Sequence, residues 1–150
     1  MIHLSEVLTV DHIELDVALP SKKKTLERLS ELFAEAQTEL CANAVFTHLS
    51  DREKLGSTGV GHGVALPHTR MESCQAPIAI ALRLTQPIAF DAVDNKPIDL
   101  VFALIVPGTA DRQHLELLAQ VAKRFGDAER REALRKAPSA EAFLDELKAD

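Results

Sequence analysis

The segment "IDLVFALIV", which runs from Ile98 to Val106, is almost continuously apolar. Successive side chains of a strand point to opposite faces of a sheet, so an uninterrupted apolar run is typical of an interior strand covered on both faces. Pro107 and Gly108 follow directly and end the predicted strand. The sequence therefore predicts a β-sheet with layers of other structure on either side.

A second strand is predicted upstream, in "PIAIALRL" from Pro77 to Leu84. Its large apolar side chains occupy alternate positions: Ile78, Ile80, Leu82 and Leu84. That alternation is typical of a strand with one heavily buried face. The turn residues of "DAVDNKP", between Asp91 and Pro97, separate the two strands and favour a hairpin-like return.

Two helices are predicted before the strands, after an N-terminal segment of mixed pattern. Ser21 can cap the first helix, whose apolar residues recur about every 3.6 positions. These residues are Leu26, Leu29, Phe33 and Ala36. The second helix is predicted from Ala42 to Leu55, and Gly56 is well placed to end it. Its apolar side carries Val45, Phe46 and Leu49.

Further helices are predicted after the strands. Thr109 or Asp111 can cap a helix that Gly126 ends. Its apolar face is predicted to carry Leu115, Leu118, Ala122 and Phe125. Two shorter helices begin near Asp127 and near Ser139, the latter with Phe143, Leu144 and Leu147 as apolar residues. The order of elements predicts an α/β fold in which helices flank both faces of a mixed β-sheet, in a single domain over residues 1–150.

The composition restricts the class of function. A chain of 150 residues with 46% hydrophobic and 27% charged residues is typical of a soluble globular domain. A formal net charge of −6 argues against a nucleic-acid partner, and the basic run Lys22 to Lys24 fits the first turn of a helix. Cys41 and Cys74 are too few for a disulfide framework. The N-terminal segment lacks a long apolar stretch, so we expect no signal peptide, no membrane insertion and a cytoplasmic location.

The glycine-rich stretch "GSTGVGHGVALPHTR", from Gly56 to Arg70, is the strongest candidate for chemistry. Glycines in a loop can expose backbone N–H groups to a phosphate. A P-loop is excluded, because His62 and Gly63 stand where that motif requires Lys and then Ser or Thr. A dinucleotide-binding fingerprint is weak, because Val64 stands where its last Gly or Ala is required.

Two other interpretations of the stretch stay open. His62, His68 and His114 could supply imidazoles to a metal ion, although their spacing matches no helical zinc motif. Alternatively, Gly63 to Leu66 forms a short strand that Pro67 ends, and His68 at its exit acts as a nucleophile. An imidazole that takes up a phosphoryl group needs hydrogen-bond donors around it. The loop N–H groups, Arg52, Ser57, Thr58 and His114 are the candidates.

Several motifs in the right order resemble one known family. They are "SKKKTLERLSELFA", "REKLGSTGVGHGVALPHTR", "FDAVDNKPIDLVFALIVP" and "DRQHLELLAQVAKRF". The chain resembles the IIA components of the bacterial sugar phosphotransferase system, of the fructose/mannitol class, over nearly its whole length. Within this class, "SKKKTLERL" near the start and "REKLGSTGVG" before the histidine are most similar to the nitrogen-regulatory branch, enzyme IIA-Ntr.

The resemblance implies a fold of helices around a mixed sheet and a site without metal or other cofactor. It implies that His68 is the phosphoacceptor and receives its group from a histidine of an HPr-like phosphocarrier such as NPr. His114 then matches the second active-site histidine, and Arg52 matches a family arginine near the phosphate. The role of His62 stays open.

The implied output is regulatory: the phosphorylation state would control binding to targets such as potassium-transport proteins or sensor kinases. A sugar-specific IIA that passes its phosphate to the IIB domain of a membrane transporter is the nearest alternative. A non-catalytic binding module of the same fold and a His-liganded metallohydrolase are the others.

Overall fold

A computed structural model describes residues 3–109 and 112–149. Before the first long helix, the chain forms helix α1 (Leu4–Val7), a 3-10 turn (Val10–His12) and strand β1 (Ile13–Val17). Helices α2 (Lys22–Ala36) and α3 (Ala42–Lys54) lead into β2 (Gly59–Gly61), β3 (Val64–Ala65), β4 (His68–Met71), β5 (Ile78–Ile88) and β6 (Ile98–Pro107). Helices α4 (Arg112–Phe125), α5 (Ala128–Lys136) and α6 (Ala140–Lys148) follow.

The described strands form one mixed sheet around β6. Strand β5 pairs with it antiparallel, with Ala81 opposite Phe102, which confirms the predicted return between the two apolar segments. On its other edge, β6 pairs in parallel first with β3 and then with β4, so that His68 lies opposite Leu104. Strand β1 pairs in parallel with β5, and β2 forms a short antiparallel pair with β3.

Both faces of the sheet are covered, as predicted for an interior strand. Helices α2 and α3 pack on one face, and α1, α4, α5 and α6 pack on the other. Strand β5 was predicted to bury one face, but both of its faces are buried, because Ala79 and Ala81 pack with the second set of helices. Their small side chains let those helices lie close to the sheet. The α/β class and the helices on both faces are therefore confirmed.

The helix boundaries agree with the capping residues. Ser21 Oγ accepts a hydrogen bond from the Lys24 backbone N–H at 3.1 Å, and Ser139 does the same for Ala142 at 3.1 Å. Asp127 caps α5 through the backbone N–H of Glu129. In the described part of the chain, none of the helices is both long and apolar enough to cross a membrane.

The buried face of helix α4 overlaps only partly with the one predicted: Phe125 is buried and Leu118 packs partly buried against the core, as predicted. Its buried residues are Leu117, Val121 and Phe125, whereas Leu115 is 66% exposed and Ala122 is also exposed. The predicted and observed faces share Phe125, but Leu117 and Val121 lie to one side of the predicted stripe, so the buried face is rotated about the helix axis. Of the predicted caps, Asp111 lies outside the described residues, and Thr109 lies in the turn after β6.

The first strand was not predicted from the sequence. Strand β1 lies at the edge of the sheet, and only Ile13 of its residues is buried. The sequence "IELDV" alternates apolar and polar residues, as a half-buried strand does, but over only five positions. The parallel pairing of Ile13 with Ala81 of β5 defines the segment as a strand, although Asp16 has a positive φ of 57°.

Candidate functional site

His68 is the first residue of β4, immediately after the proline that separates β3 from β4. The sequence predicted it at the exit of a strand from Gly63 to Leu66, but the structure shows two short strands that both pair with β6. Pro67 still connects to the sheet, because its carbonyl accepts a hydrogen bond from the Leu104 backbone N–H at 2.9 Å. The half-buried His68 side chain therefore belongs to a strand that pairs with β6, and not to a loop.

A backbone contact determines the tautomer of the His68 imidazole. Its Nδ1 lies 2.8 Å from the carbonyl oxygen of Leu66. A carbonyl oxygen only accepts, so Nδ1 must carry the proton and donate it. In the neutral ring, Nε2 then has a free lone pair. Nε2 is therefore the ring nitrogen of His68 whose lone pair is available.

His68 lines a pocket of about 260 Å³ between the sheet and two helices. The lining residues are Arg52, His68, Thr69, Arg70, Leu104, Val106, His114, Leu115 and Leu118. The pocket thus brings together three residues that the sequence singled out, from α3, β4 and α4. None of the described residues that line it is acidic. Imidazoles and guanidinium groups on an apolar floor suit an anionic group such as a phosphoryl.

Arg52 is held in place by the loop that follows its own helix. It lies in the last turn of α3, and its Nη1 donates a hydrogen bond to the Gly56 carbonyl oxygen at 2.9 Å. Within the described residues, its other guanidinium nitrogens have no hydrogen-bond partner. Arg52 is therefore partly fixed at the pocket wall and keeps donors available for an anion.

Ser57 and Thr58 are not part of the pocket. The Ser57 hydroxyl donates to the Phe90 carbonyl oxygen at 2.6 Å and accepts from the Gly59 backbone N–H at 3.0 Å. The buried Thr58 hydroxyl donates to Glu53, whose carboxylate also accepts the Thr58 backbone N–H at 3.0 Å. Both hydroxyls fasten the loop to its neighbours, so the geometry gives no support to the predicted contacts with phosphate.

The glycine-rich stretch is a β-hairpin rather than an open phosphate loop. Gly59 lies in β2, where a Cβ atom would stand 2.8 Å from the Cβ of Ala92, so the close approach of two chain segments requires glycine there. The His62 backbone N–H donates to Asp94 at 3.0 Å and lowers the pKa of that carboxyl group, and the Lys96 N–H adds to the effect. Loop N–H groups that the sequence offered to phosphate thus bind protein acceptors.

His62 is exposed and does not line the pocket. Its backbone has a positive φ of 58°, and its carbonyl oxygen accepts a hydrogen bond from Arg135 at 2.6 Å. Among residues 3–109 and 112–149, no three His, Cys, Asp or Glu side chains are grouped so that they could hold a metal ion. The metal interpretation of His62, His68 and His114 therefore lacks a ligand set in this part of the chain.

Sequence reasoning missed Arg70, which lines the same pocket. The available signal was its position two residues after His68, because alternate residues of a strand share a face. The sequence analysis placed His68 after the end of a strand. Because it predicted no strand over His68 and Arg70, it could not infer that the two residues share a face.

Comparisons with known proteins agree with this fold. Residues 6–150 match the family model described as "Phosphoenolpyruvate-dependent sugar phosphotransferase system, EIIA 2". A nitrogen regulatory protein of Pseudomonas aeruginosa is 46% identical over 143 residues, covering 95% of this chain and 93% of that protein.

Solved structures give the same result. The nitrogen regulatory protein IIA-Ntr of Neisseria meningitidis superimposes with a TM-score of 0.90 at 40% identity, covering 95% of this chain and 97% of that one. An Escherichia coli complex of mannitol IIA with phosphorylated mannitol IIB contains a chain of the same fold, with a TM-score of 0.78 at 18% identity, covering 93% and 96%. The predicted resemblance is confirmed: the chain belongs to the EIIA type-2 family of the phosphoenolpyruvate-dependent sugar phosphotransferase system.

Proposed function

We propose that this chain is a cytoplasmic phosphocarrier that accepts a phosphoryl group on His68 Nε2 from a histidine of an HPr-like protein such as NPr. The observation that carries the proposal is the contact between His68 Nδ1 and the Leu66 carbonyl oxygen, at 2.8 Å, which leaves Nε2 unprotonated. An unprotonated imidazole nitrogen can attack phosphorus without a general base. Family membership supports the same chemistry, because members are components of a phosphotransferase system.

The transfer balances without any further reactant. The Nε2 lone pair forms the new N–P bond while the N–P bond of the carrier breaks, and that electron pair returns to the carrier's imidazole nitrogen. The proton stays bound to Nδ1 of His68, which donates it in a hydrogen bond to the Leu66 carbonyl oxygen, and this hydrogen bond stabilises the positive charge of the phosphorylated ring. Arg52 and His114 line the same pocket, where they would bind the equatorial oxygens in the transition state. The scheme needs no cofactor.

The proposed output is regulation through protein binding. Phosphorylation places negative charge on a half-buried histidine beside the exposed Leu115, so a partner that docks there with apolar or acidic residues would be repelled. Relatives named as nitrogen regulatory proteins favour this output over sugar transport. Potassium-transport proteins and sensor kinases are the classes of target we propose.

Labelling with radioactive phosphate tests the acceptor site. Incubation with phosphoenolpyruvate, enzyme I and an HPr-like carrier should label the protein with an acid-labile, alkali-stable phosphate, as expected for a phosphohistidine. His68→Ala should abolish labelling, and Arg52→Gln should slow it at least ten-fold, by roughly the effect of one lost charge-assisted donor. His62→Ala is the matched control, because His62 is an exposed histidine outside the pocket, and it should label like wild type. Labelling of His68→Ala would contradict the proposal, as would a wild type that no carrier labels.

The sugar-transport alternative has one observation in its favour. A protein of this fold forms a complex with phosphorylated IIB in Escherichia coli. Labelled protein incubated with the IIB domain of a sugar transporter decides between the two outputs. We expect the label to stay on His68, and rapid transfer to IIB would instead assign this chain to sugar uptake.

A further inference from the structure

We propose that Arg70 is a second phosphoryl-binding arginine, which pairs with the phosphate on His68 once transfer has occurred. This inference rests on the proposed phosphorylation of His68 and adds a residue to it. It concerns the stability of the phosphorylated state rather than the identity of the acceptor.

The position of Arg70 follows from the register of β4. His68 lies opposite Leu104 of β6, and Arg70 lies opposite Val106, two positions further along. Alternate residues of a strand project from the same face. His68, Arg70 and the two β6 residues all line one pocket, to which the intervening Thr69 also contributes. The long Arg70 side chain therefore starts one strand repeat from the phosphoacceptor and on its side of the sheet.

Arg70 also lacks a partner where other arginines have one. Elsewhere in the molecule, arginines pair with carboxylates: Arg28 with Glu14, Arg83 with Asp16 and Arg135 with Asp99. Arg70 is exposed, and within the described residues it has no hydrogen bond or ion pair. An arginine at the rim of a pocket without described acidic lining residues retains its full capacity to pair with an anion.

The two arginines are therefore suited to different stages. Arg52 is already tethered to the Gly56 carbonyl oxygen, so it is positioned before the phosphoryl group arrives. Arg70 has no such tether and can close over the group afterwards. A phosphoryl group adds roughly two negative charges and three acceptor oxygens, more than one partly occupied guanidinium can satisfy. A planar guanidinium can bind two of these oxygens at once.

The equilibrium of phosphotransfer tests this role. The ratio of phosphorylated to unphosphorylated protein, measured against the same ratio for the HPr-like carrier, depends only on the free energies of the separate proteins. Docking between them changes the rate but not this ratio. We expect Arg70→Gln to lower the equilibrium constant for transfer to His68 about ten-fold, the value of a charge-assisted hydrogen bond. Arg70→Lys keeps the positive charge but loses the planar guanidinium that can bind two oxygens at once. It should lower the equilibrium constant about three-fold.

Arg112→Gln is the matched control, because it removes the same charge from the start of α4 at a residue outside the pocket lining. It should leave the equilibrium constant within about two-fold of wild type. Circular dichroism establishes that each variant is folded. An unchanged equilibrium constant in Arg70→Gln would overturn the inference, and a slower rate alone would assign Arg70 to carrier docking. Wild type without label on His68 would overturn both this inference and the proposed function, whereas a labelled wild type with an unaffected Arg70→Gln overturns this inference alone.

Discussion

The two cysteines differ in exposure and in the direction in which their thiol pKa is shifted. Cys41 is exposed at the start of α3, where the backbone N–H groups of Ala44 and then Asn43 lower the pKa of its thiol. Cys74 is buried beneath the sheet, and burial raises the pKa of its thiol. The thiolate is the reactive form, so these opposite shifts separate the two residues in reactivity.

We expect a thiol reagent such as DTNB to modify the folded protein in one fast phase that belongs to Cys41. A lowered pKa keeps more thiolate at a given pH, so the fast phase should persist at a lower pH than in a denatured control. Cys41→Ser should remove this phase. Cys74 should react only when the protein is unfolded in guanidinium chloride, and fast modification of Cys74 in the native state would contradict its burial.

The structure brings together some of the residues that the sequence singled out and places Ser57 and Thr58 elsewhere. Arg52, His68 and His114 were singled out together, and they line one pocket. Ser57 was assigned to phosphate because its true acceptor, the Phe90 carbonyl oxygen, is 33 residues away in the sequence. A short motif shows which hydrogen-bond donors lie close to His68 in the sequence. It does not show which distant acceptors the fold brings into contact with those donors.

Helix α4 connects the core to the rim of the pocket. Leu117 is fully buried against the sheet, while Leu115, two residues earlier, is 66% exposed and lines the pocket. The two leucines therefore contribute to different properties of the molecule.

We expect Leu117→Ala to lower the free energy of unfolding by about 3 kcal/mol, because it leaves a cavity in the core. Leu115→Ala should change it by less than about 0.5 kcal/mol. Urea denaturation followed by circular dichroism measures both. A larger loss in Leu115→Ala than in Leu117→Ala would show that the predicted apolar face, and not the observed one, is the buried face.

Elements were predictable where the apolar pattern was long and continuous. The sequence predicted α2, α3, β5 and β6 close to their observed bounds, because each carries a pattern long enough to show its period. The glycine-rich stretch was interpreted as a loop followed by one strand, but it forms β2, β3 and the start of β4. Strands of two to four residues have too few positions for a period, so they are defined by pairing alone: β3 and β4 pair with β6, and β2 pairs with β3.

In the whole molecule, Arg83 connects three parts of the chain. Its Nη1 donates to the carbonyl oxygens of Leu134 at 3.0 Å and Ala137 at 2.8 Å, at the end of α5. Its Nε and Nη2 donate to the carboxylate of Asp16 in β1. The Arg83 side chain is largely buried, so water has little access to its guanidinium. The guanidinium and the two carbonyl oxygens therefore satisfy one another's hydrogen bonds.

Arg83→Met should lower the free energy of unfolding by about 3 kcal/mol, because it leaves two carbonyl oxygens at the end of α5 without a donor. The single domain predicted over residues 1–150 further implies that the loss appears as one shifted unfolding transition. Arg112→Met is the control, since its side chain is 91% exposed and pairs only with Glu116 among described residues. Two separate transitions in urea would argue against one cooperative unit.

The acceptor of the His68 Nδ1 proton is a main-chain oxygen, two residues back along the chain. Every amino acid at position 66 supplies that oxygen, so natural variation there leaves the protonation pattern of the imidazole intact. A mutational scan would therefore detect the proposed roles of His68, Arg52 and Arg70. It would find no side chain that determines the tautomer of His68. The backbone conformation between Leu66 and His68 therefore determines which ring nitrogen carries the proton. A change of that conformation would be needed to lose this tautomer, and a substitution of Pro67 would test this.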